Sequence, residues 1–170
     1  ALPRLELVVG DLRIVGDLPQ FDLPALTTVV GSVLIDTPRI DAFVLPVLGQ
    51  VGGEFYVTGN GVHGTSIEAP VLARIGGRMV MWWGATGALV MPALAAVGGD
   101  MLLHSNLTSL DLGALTSIGG SLRFYDQTLT ELRLPALREL AGALESSRPN
   151  LAVVALPALT SLADLSLISV

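Results

Sequence analysis

The chain contains no cysteine and no lysine. Without cysteine there can be no disulfide, no thiolate nucleophile and no thiolate-held zinc. Without lysine, Schiff-base chemistry and a Walker-type phosphate loop are excluded, because both need a lysine amine. Every one of the nine cations is arginine, and charged residues make up only 14% of the chain, against about a quarter in ordinary domains. The net charge of −6 argues against nucleic acid, since a phosphate-binding face needs clustered cations. Long apolar runs are missing as well. The longest, Met79–Trp83 and Leu151–Leu159, fall well below the ~18 residues of a membrane span, so no span is expected. The residues following Ala1 lack the basic-then-apolar layout of a signal peptide.

What is present is apolar character. Hydrophobic residues form 51% of 170, enough for one ordinary domain and too many for disorder. Nineteen glycines and ten prolines punctuate the chain and disfavour long helices. The even spread of apolar residues comes from an internal repeat. A Leu-Pro-Ala-Leu signature stands at Leu2, Leu23, Leu45, Ala69, Met91, Leu112, Leu134 and Leu156, at intervals of 21 to 24 residues. A unit that short cannot enclose its own core, so eight such coils must stack over one continuous hydrophobic column.

Each repeat then carries an apolar residue and glycine, as in Val51-Gly52-Gly53, Ile75-Gly76-Gly77, Val97-Gly98-Gly99 and Ile118-Gly119-Gly120. A shorter form stands at Val9-Gly10 and Val30-Gly31. An alternating triplet follows ten positions after the anchor. The predicted inward residues are Leu12, Ile14, Val33, Ile35, Phe55, Val57, Met79, Met81, Met101, Leu103, Leu122 and Phe124, with period two as a half-buried strand requires. A second apolar pair, for example Leu107 and Leu110, returns to the next anchor. Two short strands and two corners per coil give stacked parallel sheets. Parallel crossovers are right-handed in nearly all cases, so the expected fold is all-β, a right-handed β-solenoid of about eight coils of ~22 residues forming one domain over 1–170.

Coil seven breaks the pattern. Leu137, Leu140, Ala141 and Leu144 fall at helical spacing, Pro135 suits a first helical turn, and Arg148-Pro149-Asn150 would end it. One short helix is therefore predicted over 135–147. The eighth coil closes on Leu165, Ile168 and Val170 without a polar cap, whereas solenoid ends normally need one.

The run from Leu112 to Phe124, with its Leu115-Thr116-Ser117-Ile118-Gly119-Gly120-Ser121-Leu122 core, resembles the receptor L domains of insulin-receptor and epidermal-growth-factor-receptor ectodomains. It is more similar still to the L-domain-type leucine-rich repeats of fungal cell-wall and bacterial surface proteins. The resemblance covers nearly the whole chain, with coil seven the poorest match. It implies a leucine-rich β-helix, an extracellular or cell-surface setting, and binding rather than catalysis. The chain departs from the receptor members in having no cysteine.

Function then rests on what faces outward. The middle residues of the triplets form the column Arg13, Leu34, Tyr56, Val80, Leu102, Arg123; two positions on stand Val15, Asp36, Thr58, Trp82, His104, Tyr125. Leu34, Tyr56, Val80, Trp82, Trp83, Leu102, His104 and Tyr125 are the candidate binding residues, an apolar and aromatic patch of the kind that marks interaction sites. The expected partner is a protein or a glycan, with sugar rings able to stack on Trp82, Trp83 or Tyr125. The alternative is a structural, self-assembling coat element that associates through this face or the uncapped C-terminal end. Ice binding would want a repeated threonine column, and these positions supply only Thr58. The return column of Asp22, Val44, Glu68, Val90, Asp111, Arg133 and Ala155 reads as an ordinary solvated face, and the insertion Gly59–Ser66 as a surface loop.

Catalysis has little support. A set of Asp126, His104 and Ser105 fails because neighbours such as His104 and Ser105 point to opposite sides of a strand. His63 and His104 occupy different parts of their coils, so no metal site and no cofactor are expected. The chain is read as a non-enzyme.

Overall fold

The structure, a computed structural model, describes residues 2–17, 22–38, 42–59, 66–125, 128–146 and 151–167. Each coil begins with a tight turn made by the Leu-Pro-x-Leu anchor. The carbonyl of the first residue accepts the N–H of the fourth, as at Leu2/Leu5 (3.2 Å), Ala69/Leu72 (3.1 Å), Met91/Leu94 (3.0 Å) and Leu134/Leu137 (3.2 Å). Proline fits the second position because its ring fixes the φ that such a turn needs. The fourth residue points inward; Leu26, Leu48, Leu72, Leu94, Leu115 and Leu137 are all fully buried.

Three parallel ladders follow from these turns. A corner ladder of two-residue strands climbs from Leu7–Val8 through Thr28–Val29, Gln50–Val51, Arg74–Ile75, Ala96–Val97 and Ser117–Ile118 to the start of Glu139–Ser146. The main ladder stacks Leu12–Val15, Val33–Asp36, Phe55–Gly59, Met79–Val90, Met101–Asp111, Leu122–Phe124 and the end of Glu139–Ser146. Ser161–Leu167 pairs with Glu139–Ser146 across both ladders. Return strands close the coils at Ala42–Val44, Ser66–Glu68, the ends of Met79–Val90 and Met101–Asp111, Glu131–Arg133 and Val153–Ala155. The result is an all-β parallel solenoid.

Two expectations need correction. Six coils carry a return strand among the described residues, so the solenoid makes about six complete turns rather than eight. The rungs at Leu7–Val15 and Ser161–Leu167 flank these turns at either end of the described stack. The helix over 135–147 is absent: the described part of that segment is a turn at Leu134–Leu137 followed by the strand Glu139–Ser146. Its helical spacing is the sum of three separate inward positions. Leu137 closes the turn, Leu140 pairs with Ile118 in the corner ladder, and Leu144 pairs with Leu122 in the main ladder. All three are buried, while Ala141 is exposed. Residue 147 and the proposed stop at 148–150 lie outside the described residues.

At the corners of coils three to six glycine answers a lack of room, whereas coils two and seven carry Val30 and Ala141 at the same position. A Cβ on Gly98 would overlap the Gly76 carbonyl of the coil below, and one on Gly119 would overlap that of Gly98. The following glycine column carries a backbone chain, with Gly53 N–H donating to Gly31 O (2.9 Å), Gly77 to Gly53 (2.8 Å) and Gly142 to Gly120 (2.9 Å). The residue after it forms a polar column. Ser32 N–H donates to Asp11 Oδ1 (2.9 Å), Glu54 N–H to Ser32 Oγ (3.0 Å), Ser121 N–H to Asp100 Oδ1 (2.8 Å) and Ala143 N–H to Ser121 Oγ (3.1 Å). A side chain on one rung thus satisfies a backbone donor on the next that would otherwise be orphaned.

Inside the coil, eleven of the twelve predicted inward residues are buried. Leu12 is half-buried, because among the described residues its rung has a neighbour on one side only. The rings of Phe43, Phe55 and Phe124 are the largest fully buried side chains of the core.

Candidate binding face

The outward side of the main ladder positions the candidate residues. Registers place Tyr56, Val80 and Leu102 on consecutive rungs, and Thr58, Trp82 and His104 beside them. Tyr125 lies just past the strand Leu122–Phe124 and stays on the ladder through its N–H, which donates to Leu103 O (2.8 Å). Strand alternation puts all of these on one surface.

The second column is an aromatic stack. The Trp82 and His104 ring centroids are 4.6 Å apart with planes tilted by 38°, and Tyr125 meets His104 edge-on at 6.1 Å. These separations follow from the rung spacing of roughly 4.8 Å, and both geometries are favourable for π systems. Trp82 keeps half of its surface exposed, while His104 and Tyr125 are half-buried. On its other side Trp82 stands beside Thr58, which is far smaller.

Not all of the predicted residues share this accessibility. Leu34, Tyr56 and Leu102 are half-buried and line the strip. Val80 is a correction: it is only 6% exposed. It occupies an outward register position, but Tyr56 and Leu102 on the adjacent rungs are larger and leave it little open surface. The backbone of Trp83 pairs with Gly59, and its side chain lies outside the described residues. Residues 60–65 of the insertion, His63 among them, and Asp126 also lie outside. Of the rejected triad, Ser105 is buried and His104 faces out, the opposition that alternation predicts.

Charge rims the strip, and this was not read from the sequence. Arg123 bridges Asp100 (3.2 Å) and Glu145 (3.2 Å) on the rungs below and above. Arg78 pairs with Glu54 at 2.8 Å, and Arg13 lies 3.5 Å from Asp11. For the pairs between rungs the signal was available: Glu54 and Arg78, Asp100 and Arg123, and Arg123 and Glu145 stand one coil apart, 24, 23 and 22 residues along the chain, whereas Asp11 and Arg13 belong to one rung. The Asp100 carboxyl is held below its ordinary value of 3.8, first by the Ser121 N–H and then by Arg123 and Arg78, against the opposing effect of its partial burial. Desolvation works against the Arg123 charge, yet the bonds to Glu145 and Asp100 outweigh it and raise the guanidinium above its usual range.

Among the described residues no cluster of three or more His, Asp or Glu could hold a metal, and no helix is long and apolar enough to cross a membrane. No family model, no curated protein and no solved structure matches the chain.

Proposed function

We propose that this chain is a non-catalytic binding module, set outside the cell or at its surface, whose aromatic strip docks a protein partner. The observation that carries the reading is Trp82: a tryptophan half exposed, braced by His104 at 4.6 Å, on a strand paired on both sides. Exposed aromatics held in place lose little entropy on binding and are the commonest anchors of interfaces. The strip combines an apolar centre with a charged rim, the usual anatomy of such sites. A protein is favoured over a glycan because Trp82 and His104 stack on each other. That stacking takes one face of Trp82 from a sugar, and the half of the ring left exposed beside the smaller Thr58 suits interdigitating side chains. The receptor L-like relationship belongs to the same proposal and rests on the consensus residues Leu112–Phe124.

The test is Trp82→Ala. Partners captured by the wild-type chain are identified and titrated against both forms by calorimetry. Binding should weaken by about 2 kcal/mol or more, while the unfolding midpoint stays within about 1 kcal/mol equivalent because the side chain supports little core. Quenching of Trp fluorescence by glycans, with no protein partner dependent on Trp82, would overturn the protein reading. A Trp82→Ala chain that unfolds while still binding would show that the strip is structural.

A further inference from the structure

The return side of the stack is interrupted between coils five and six. Ala42–Val44 pairs with Ser66–Glu68, which pairs with the end of Met79–Val90, which pairs with the end of Met101–Asp111. Among the described residues Glu131–Arg133 pairs only with Val153–Ala155, in a two-stranded sheet of its own. The two coils stay joined elsewhere, at Ala96 and Ser117 in the corner ladder and at Met101 and Leu122 in the main ladder. Between their return sides lies a pocket of about 360 Å³, whose walls include Thr108, Leu110, Leu129, Thr130, Glu131 and Arg133. The sequence marks the place: the anchor here is Leu112-Gly113, with glycine where the other seven anchors carry proline.

Backbone groups face each other unbonded across this break. At Leu2, Leu45, Ala69, Met91 and Leu134 the anchor N–H donates to the last return residue of the next rung. At Leu112 the matching bond to the Arg133 carbonyl is not made; it is also missing at Leu23, where residues 18–21 lie outside the described residues. A planar trans peptide sets its C=O and N–H on opposite sides. Asp111 O accepts the Met91 N–H from below, so the Leu112 N–H points up across the break. Thr130 O accepts the Ala152 and Val153 N–H groups from above, so the Glu131 N–H points down across it. The Leu134 N–H is donated upward to Ala155, which turns the Arg133 carbonyl down as well. The apolar column breaks at the same level: Phe43, Ile67 and Leu89 below and Leu132 above are buried, whereas Leu110 is half-buried.

We propose that this break is a docking site for an extended peptide segment of a partner protein, which adds as a parallel strand between the two return strands. Its carbonyls accept the Leu112 and Glu131 N–H groups and its N–H donates to the Arg133 carbonyl, restoring the ladder on both walls. These bonds span about five residues of the segment, the middle one pointing inward. That residue is a large apolar one, which covers Leu110 and completes the core column. Its two neighbours point outward, one beside Ser109 and Glu131, the other between Asp111 and Arg133, and are polar. A peptide fits better than a small solute, because a strand backbone carries donors and acceptors at the spacing both walls present, and open edges template such pairing. The site shares no residue with the aromatic strip and does not depend on it.

Amide hydrogen exchange, followed residue by residue with nuclear magnetic resonance on the whole chain, tests it. In the free protein the Leu112 N–H should exchange about tenfold or more faster than those of Met91 and Leu134, which hold the equivalent bonds. The probe is a capped peptide repeating Thr130-Glu131-Leu132-Arg133-Leu134, which has the length and pattern the break takes. At about 1 mM it should slow exchange at Leu112 and Glu131 by about tenfold or more and leave Met91 unchanged. The same peptide with its central leucine N-methylated, or replaced by aspartate, should have no such effect. Glu131→Pro removes one facing N–H from an edge that tolerates proline and should abolish the response at Leu112, with circular dichroism verifying the fold. A Leu112 amide as protected as Met91 in the free chain, no slowing with the peptide, equal slowing by the N-methylated form, or a response that survives Glu131→Pro would each overturn the proposal. Trp82→Ala should leave the response intact. If it alone abolishes the response, the peptide sits on the aromatic strip and the break is not its site.

Discussion

Shortening Leu103 to alanine tests the stacked core most directly. Leu103 is fully buried, and register sets Met81 below it and Phe124 above, at 2% and 0% exposure. Buried leucine-to-alanine changes cost about 2–5 kcal/mol, more where the site cannot collapse. Here the rungs on both sides are held at fixed spacing by backbone ladders, so the cavity cannot close and a loss of about 3–5 kcal/mol is expected. At about 2–4 °C per kcal/mol for a chain of this size, the midpoint should fall by roughly 6–20 °C. Because a solenoid transmits stability only between neighbouring coils, a mid-stack defect should also split the transition, N-terminal coils separating from C-terminal ones. Urea unfolding followed by Trp fluorescence, which reports coil four, and by far-ultraviolet dichroism, which reports all coils, measures both effects. Leu167→Ala is the control: that side chain is about half exposed, and its loss should cost less than about 1 kcal/mol. A Leu103→Ala chain within about 1 kcal/mol of wild type, or no less stable than the control, would refute the assigned register.

Two further predictions concern the corner. Asp100 is depressed below 3.8 when folded, so its contribution is complete above the unfolded value and disappears as pH falls through the lower folded one. Wild type should therefore exceed Asp100→Asn in stability near neutral pH, and the gap should close as pH drops below about 4; Arg123, Arg78 and Glu145 are the charged groups around it, and a gap that persists to the acid limit would remove the ion pair as its cause. Gly98→Val should destabilise by about 1–3 kcal/mol, as overpacking against fixed atoms does, because its Cβ overlaps the Gly76 carbonyl; denaturant midpoints equal to wild type would show that the corner has room.

The solenoid was legible because its determinants are local and repeated. A turn-forming proline, a corner glycine and a two-residue alternation each act within one coil, and seeing them return every 21 to 24 residues was enough to fix the inward ladder. Coil seven shows where that reasoning failed. The corner glycine there is Gly142, in register with Gly120 through a 2.9 Å bond, but Ala141 stands where coils three to six have their first glycine. Losing one letter of the signature let a helical spacing compete. A strand that crosses a corner places inward residues at uneven intervals, and Leu137, Leu140 and Leu144 happened to match three and four. The tie was decided by neighbours: Ile118 and Leu122 already offered unpaired strand edges, and an isolated helix could not have satisfied them.

The same dependence on neighbours governs the candidate face. Alternation told which side of the strand a residue occupies, and Ser105 against His104 shows that this much was sound. It could not tell how much of the residue remains accessible, because in a parallel stack each outward side chain is flanked at about 4.8 Å from above and below. Val80, small and set between Tyr56 and Leu102, is covered. Trp82, large and set beside Thr58, stands clear. Arg123 likewise acquires its role only from Asp100 and Glu145 on the two adjoining rungs. The unit of surface chemistry in this molecule is therefore the column of three consecutive rungs. A substitution on the strip should be judged by its neighbours one coil away before its neighbours in the chain.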